Sequence, residues 1–316
     1  MINKTQEEVI AKWKSLDTNH PLVSIKCLTY NHEKYIAQAM DGFLMQETNF
    51  PFEVIVHDDA STDRTADILR EYEKKFPLIV KPIYETENLY SKQDGSLTRA
   101  ANAPLKGKYI AMCEGDDYWI DPHKLQIQVD FLESHPDYST AFHDAEILTE
   151  PGMPPIDSVY PPMEDRDYSP TEIFEKWTIP MASLIYRREV LDYPIKNIFN
   201  ILNGDLFLTE KCAHTGKVRC FNRKMSVYRI QPSGVTWDTS KKIQRLKEYP
   251  AHLMELKVDF PKIDRRILNR AICGTFVNAW DYIDTKTRIY YFFKGLTLAP
   301  KTFLRKLFRK IFSHKA

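Results

Sequence analysis

Residues 52–76 read FEVIVHDDASTDRTADILREYEKKF. The first eight form an apolar run that ends on two aspartates, which predicts a buried strand closing at Asp58 and Asp59. Ser61 or Thr62 can then cap a helix that runs through RTADILREYEKKF and stops before Pro77. A strand, a polar loop and a helix in so short a stretch make one βα unit, and a chain that repeats such units builds a parallel sheet covered on both faces.

The flanking segments repeat it. LVSIKCLTY (22–30) predicts a first strand, and HEKYIAQAMDGFLMQ after it places Tyr35, Ile36, Ala39, Met40, Phe43 and Leu44 on one helical face. LIVKPIY (78–84) and KYIAMC (108–113) predict two more strands. Further on, HKLQIQVDFLESHP reads as a helix, YSTAFHDAEIL as a strand and the proline-rich 150–170 as a long loop. MASLIYRREVL predicts a strand entering a short helix, NGDLFLTEKCAHTG a helix with Asp205 near its N-cap, and KVRCFNRKMSVYRI a strand or hairpin. From about residue 240 the pattern is helical. The expected class is α/β, a mostly parallel sheet flanked by helices with a helical C-terminal extension.

In such sheets ligands bind outside the carboxyl ends of the strands. TYN (29–31), DDASTD (58–63) and EGDD (114–117) all fall there. Asp116 and Asp117 side by side can hold Mg2+ or Mn2+, hard cations that share coordination between one or two carboxylates and substrate phosphates. A solvated turn before a helix starting near Pro122 would also use aspartates. DDASTD suits a phosphatase, whose strand-end aspartate attacks phosphate, or a nucleotide site, whose carboxylate accepts an N–H from a base edge. Capping by Ser61 or Thr62 leaves Asp58 and Asp59 over, which favours a ligand.

The chain has 316 residues, 12% aromatic and 28% charged, a globular composition without internal repeats or low-complexity tracts. Five cysteines (27, 113, 212, 220, 273) show no CxxC and no metal spacing, and an odd number is a poor disulfide framework, so a reducing compartment is expected. MINKTQEEVIAKWKSL has no apolar core of a leader, and no run of about 18 apolar residues predicts a membrane span. The net charge of +1 hides an asymmetry. From Lys286 onward there are nine of the 44 Lys and Arg and no acid, leaving 35 against 43 acids, a net of −8, before it.

Taken together, VSIKCLTYNHEKYIAQAM, EVIVHDDASTDRTADIL, GKYIAMCEGDDYWIDPHKLQIQVDFLE and NGDLFL resemble the inverting family 2 glycosyltransferases of GT-A fold, of the type that builds bacterial surface polysaccharide. The likeness covers roughly residues 20–235, and four ordered motifs on a matching strand and helix pattern are far more specific than any one. It implies that Thr29 and Tyr30 lie on the nucleotide, with Tyr30 stacking on the base, and that Asp59 binds the uracil edge. It further implies that Asp117 coordinates the metal bridging the diphosphate and that Asp116 contacts ribose or an arginine. Arg99, with Asn102, matches the segment along the diphosphate, although the family pair is adjacent and here AA separates the two. Asp205 matches the catalytic base, which takes the proton of an acceptor hydroxyl too weak to attack unaided. An N-cap would place an aspartate ahead of an apolar run equally well.

Several neighbours admit two readings. His143 beside its strand reads as a core residue. Trp119 can line a sugar subsite or wedge its helix against the sheet. Tyr228 and Arg229 resemble a segment that folds over the site, with Ser233 and Gly234 as a turn; Arg229 can pair with diphosphate or lie on the surface. KTFLRKLFRKIFSHKA places Phe303, Leu304, Leu307, Phe308, Ile311 and Phe312 on one face, with Arg305, Lys306, Arg309 and Lys310 on the other. Such a helix suits an anionic membrane surface, or packs on its own domain.

The expectation is a cytoplasmic enzyme on the inner face of the cell membrane. It would transfer a sugar from a UDP-sugar to a lipid-linked saccharide with Mn2+ or Mg2+ and would bind no nucleic acid, since the chain before the tail is acidic. The expected organisation is a lead-in helix over 1–20, a GT-A domain over 21–240 and a helical region over 241–316. The acid pairs also suit a metal-dependent nucleotidyl- or phosphotransferase, and the fold a non-catalytic nucleotide-sugar or glycan-binding module.

Overall fold

The computed structural model describes residues 2–14, 17–154, 156, 159–196, 202–232, 234 and 242–313. The chain forms two compact units. One comprises residues 1–169, 178–192 and 215–231, the other residues 170–177, 193–214 and 232–316. The division differs from contiguous pieces meeting at 20 and 240, because two short segments join the C-terminal helices. Asp205 thereby belongs to the helical unit.

The first unit is built on eight strands: β1 (Val23–Thr29), β2 (Phe52–Asp58), β3 (Val80–Tyr84), β4 (Tyr109–Met112), β5 (Tyr118–Trp119), β6 (Tyr138–Thr149), β7 (Ile185–Arg187) and β8 (Lys217–Ile230). They form one sheet in the order β3-β2-β1-β4-β7-β6-β8-β5. The half made of β3, β2, β1 and β4 is parallel, as its buried apolar strands require. β7 runs antiparallel to both β4 and β6, whereas β6 and β8 pair parallel and β5 lies antiparallel on the β8 edge. KVRCFNRKMSVYRI is therefore one long strand and not a hairpin, with register shifts against β6 at residues 143–145.

Helices α1 (Gln6–Ile10), α2 (Ile36–Leu44), α3 (Thr65–Lys75), α4 (Ser96–Asn102) and α5 (Lys124–Ser134) belong to this unit. The apolar face expected on α2 is buried, with Ile36, Ala39, Met40, Phe43 and Leu44 in the core. Trp119 is the wedge of the two alternatives. It is 1% exposed, meets Phe43 edge-on at 4.9 Å and donates its indole N–H to Ala182 O at 2.8 Å, so its ring is not open to a sugar. His143 is a core residue, its Nδ1 2.7 Å from Asp144 O. No disulfide joins the five cysteines, all of which are buried.

The second unit holds α6 (Pro170–Lys176), α7 (Gly204–Thr215), α8 (Lys242–Asp259), α9 (Arg265–Ala279), α10 (Thr285–Leu298) and α11 (Pro300–Ser313). Its core gathers Leu206 and Phe207 of α7, Leu256 of α8, Phe260 just past the end of α8, and Ile272 and Phe276 of α9. Asp264 and Asp284 accept backbone N–H groups of the first turns of α9 and α10, which fixes where those helices begin. Among the described residues no helix is long and apolar enough to cross a membrane.

Candidate active site

The carboxyl ends of β1, β2 and β4 lie level and are knitted by main-chain bonds. Asp59 N donates to Thr29 O at 3.0 Å, and Gly115 N donates to Leu28 O at 2.9 Å. Side chains complete the stitching between the loops after β1 and β2. Asn31, in the left-handed region at φ 56°, accepts Thr62 N at 2.8 Å and donates its own N–H to Ser61 Oγ at 2.9 Å. His32 N donates to Thr65 Oγ1 at 2.8 Å, and Glu33 N to Asp63 at 3.0 Å. Ser61 is thereby occupied: its hydroxyl also donates to Asp58. It does not cap α3, whose first turn is met by Asp63, accepting from Thr65 N at 2.9 Å.

Against this platform the two acids after β4 differ. Asp117 is 2% exposed, and its Oδ1 accepts the main-chain N–H of Arg229 on β8 at 2.8 Å. Asp116 is the more open; its Oδ2 accepts from Gln231 Nε2 at 2.8 Å and lies 4.0 Å from His32 Nε2. Burial pushes the His32 imidazole down, opposed by the nearby Asp116, Asp63 and Asp58. Beneath them, on β1, burial lowers the Lys26 ammonium to about 8 while it donates to Asn102 at 2.6 Å.

The floor between these groups is glycine. A Cβ on Gly115 would stand 2.7 Å from Thr29 Oγ1 and 2.9 Å from His32 Nδ1. Both atoms are buried without a hydrogen-bond partner among the described residues. Buried polar atoms in this state call for a partner, and at a strand end a bound ligand can supply one. No group of three His, Cys, Asp or Glu side chains among the described residues could hold a metal ion alone. One or two carboxylates with oxygen donors nonetheless fit Mg2+ or Mn2+ completed by a diphosphate, since these cations prefer oxygen and share their shell with phosphates.

The other expected residues are distributed unevenly. Tyr30 is 43% exposed, its ring open at the end of β1. Asp59 is buried, and its two oxygens accept Leu89 N at 2.7 Å and Tyr90 N at 2.9 Å, so it orders the loop after β3. Arg99 is exposed on α4 and donates to Asp94 O at 3.0 Å, away from the acids after β4 in its hydrogen bonding. Arg229 is neither a surface arginine nor open toward a ligand. It is 6% exposed, donates to Glu150, to Gln38 at 2.7 Å and to Asp116 O at 2.8 Å, and stacks on Tyr35 at 4.6 Å. Ser233 lies outside the described residues. His32, Gln38, Glu150 and Gln231 were not singled out in the sequence. Only the short polar run YNHEK around His32 gave a signal for any of them.

In the helical unit, Asn203 and not Asp205 caps α7, accepting Leu206 N at 2.9 Å. Asp205 is the second residue of the helix, half-buried, and burial pushes its carboxyl up.

The comparisons with known proteins agree with this geometry. The family model described as "Glycosyl transferase family 2" matches residues 24–193, from β1 past the acid loop to the end of the β7 region. An uncharacterized protein of Mycobacterium tuberculosis is 37% identical over 216 residues, 67% of this chain and 60% of its own length. The chain thus spans less than two thirds of that relative. The Escherichia coli UDP-Glc:alpha-D-GlcNAc-diphosphoundecaprenol beta-1,3-glucosyltransferase WfaP is 34% identical over 113 residues, 36% of this chain and 42% of that protein. The crystal structure of Staphylococcus aureus TarS 1–349 in complex with UDP matches with a TM-score of 0.62 at 16% identity, covering 93% of this chain and 91% of that one, a likeness of fold. With the model matching more than half of the chain, and its match spanning the strand ends just described, the protein belongs to glycosyl transferase family 2 and has the GT-A fold.

Proposed function

We propose that the protein transfers a sugar from a UDP-sugar to a saccharide carried on a lipid, in a single displacement that inverts the anomeric carbon. The observation that carries this reading is the platform at the ends of β1, β2 and β4. There an open aromatic ring (Tyr30), a loop ordered by Asp59 and an acid pair surround buried polar atoms that lack partners. That the TarS structure holds UDP, and that WfaP is named for a UDP-Glc donor and a diphosphoundecaprenol acceptor, supports the choice of donor and acceptor class.

In this reading Tyr30 stacks on the base, Thr29 and Asp116 meet the ribose side, and Asp117 would hold Mn2+ or Mg2+. Arg99, exposed on α4, is assigned to the diphosphate side. The bound cation would supply neutralisation of the charge that grows on the leaving diphosphate. The acceptor oxygen forms its bond to C1 as the bond from C1 to the diphosphate breaks, and the hydroxyl proton passes to Asp205. A carboxyl raised by burial is the stronger base for that proton.

The test is Asp205→Asn. Transfer, measured as UDP release with a glycosidic product, should fall by roughly 1,000-fold or more while UDP affinity is unchanged. A fully active variant refutes the base. Release of pyrophosphate or inorganic phosphate by the unaltered protein, with no glycosidic product, would identify a nucleotidyl- or phosphotransferase instead.

A further inference from the structure

The structure divides α11 in a way that its sequence does not. Of the six apolar residues expected on one face, five separate into two groups, and Leu304 is half-buried between them. Phe303 is fully buried and Leu307 is 5% exposed, both in the core of the helical unit. Phe303 closes on Gly295 of α10, where an added Cβ would stand 2.5 Å from its ring. Phe308 and Phe312, one turn apart with stacked rings, are 55% and 59% exposed, and Ile311 is 42% exposed. On α10, which folds back against α11 through Phe292 and Phe303, Phe293 is 64% exposed and Ile289 54%. Docking of α11 thus accounts for one stripe and leaves a second apolar stripe uncovered.

We propose that the uncovered face of the α10–α11 hairpin is a docking surface for an anionic lipid bilayer. Five large apolar side chains open to water on two adjacent helices exceed the scattered exposure of an ordinary surface. The charges beside them choose the occupant. Arg305 and Arg309 are exposed on α11, and from Lys286 to the end the chain carries nine cations and no acid. A second copy of the chain laid symmetrically on this face would bring those cations against one another. A bilayer with negative headgroups attracts them, at about 1 kcal/mol for each cation near the surface, and takes the rings at the headgroup boundary. The helices would lie on the surface, since among the described residues none can span it.

This deepens the reading of a lipid-linked acceptor, but it is measured without donor or acceptor, so failure of either reading shows separately. The full chain is sedimented with phosphatidylcholine vesicles with and without phosphatidylglycerol, at low and high salt. Binding should require phosphatidylglycerol and weaken with salt. The combined variant Phe293→Ser, Phe308→Ser, Phe312→Ser should lower the partition coefficient by on the order of 100-fold with an unchanged melting temperature, because these rings pack against little. Arg305→Glu with Arg309→Glu should abolish the lipid preference. Undiminished binding of the triple serine variant overturns the proposal. So does a concentration-dependent oligomer that the same variant dissolves, because the face would then join copies of the chain.

Discussion

Replacing Arg229 by alanine separates a scaffold role from a ligand contact. The guanidinium is 6% exposed and reaches Glu150, Gln38 and the main-chain oxygen of Asp116, over the ring of Tyr35 and 5.4 Å from that of Tyr118. Removing one partner of a buried ion pair costs about 3–5 kcal/mol because the other is left uncompensated. The Glu150 side chain is 24% exposed, so water relieves part of that loss and the lower end applies. The ring contacts return about 0.5–1 kcal/mol. The total is about 4 kcal/mol, or a fall of roughly 8–16 °C in the melting midpoint for a unit of this size. Thermal unfolding by circular dichroism reads it, with UDP titration calorimetry beside it. Arg229→Lys, which keeps the charge but loses the fork, should recover only part of the midpoint. An Arg229→Ala protein with an unchanged midpoint and lost UDP affinity would show that the side chain serves the diphosphate, and the scaffold reasoning would fail.

Gly107→Ala places a Cβ 2.3 Å from Ser24 N and 2.7 Å from Tyr109 O, backbone that cannot move without parting β1 from β4; a loss of at least about 3 kcal/mol in denaturant unfolding is expected. If Asp205 is the base, the acid limb of kcat/KM should lie above the ordinary carboxylate range, since burial raises its carboxyl and the ionised form must accept the proton. The pair Glu210 and His214 on α7 is buried, and burial disfavours the charged form of each: Nδ1 of His214 donates to Glu210 O and lies 3.5 Å from Glu210 Oε2, its Nε2 accepts Lys262 N, and neither carboxyl oxygen of Glu210 makes a hydrogen bond among the described residues. Burial lowers His214 from 6.5 to about 4, so its stability contribution is lost as pH falls from 6.5 to 4, whereas burial raises Glu210, whose contribution is lost as pH rises through its raised value. Between 4.5 and 6.5 the two slopes oppose. Glu210→Gln should uncover the histidine alone, a fall of at most about 3 kcal/mol from pH 6.5 to 4 that the unaltered protein does not show.

The parallel half of the sheet was legible because its strands are buried on both faces. VSIKCLT, FEVIVHD and YIAM carry nearly continuous apolar runs, and each stops at a polar loop. β8 was legible as a strand but not in its pairing. KVRCFNRKMSVYRI mixes polar and apolar residues in a way that suits a hairpin as well as a strand, and only contact with β6 decides. The two residues of β5 are too few to produce any period. In the site, the acids could be located and the resemblance gave them unequal jobs, but the bonding that orients them could not be read. It depends on Arg229, whose partners Gln38 and Asp116 stand 191 and 113 residues away. The cap of α7 stayed open in the sequence for a local reason: Asn203 and Asp205 are both capping residue types two positions apart, and only the hydrogen bond to Leu206 N chooses between them.

The long-range bonds give β8 a part in the site that its sequence does not announce. The strand sends three groups to the acid loop: the main-chain N–H of Arg229 to Asp117, the Arg229 side chain to the carbonyl of Asp116, and Gln231, just past its end, to the carboxylate of Asp116. Two adjacent like charges at the end of a sheet repel unless donors face them. Here donors from one neighbouring strand compensate both, which lets Asp116 and Asp117 stand together before any cation arrives. The same bonds fix Asp117 inward and leave Asp116 the more open carboxylate. In the proposed reading a cation and a diphosphate would meet a pair already oriented, and the reorganisation needed on binding would be correspondingly small.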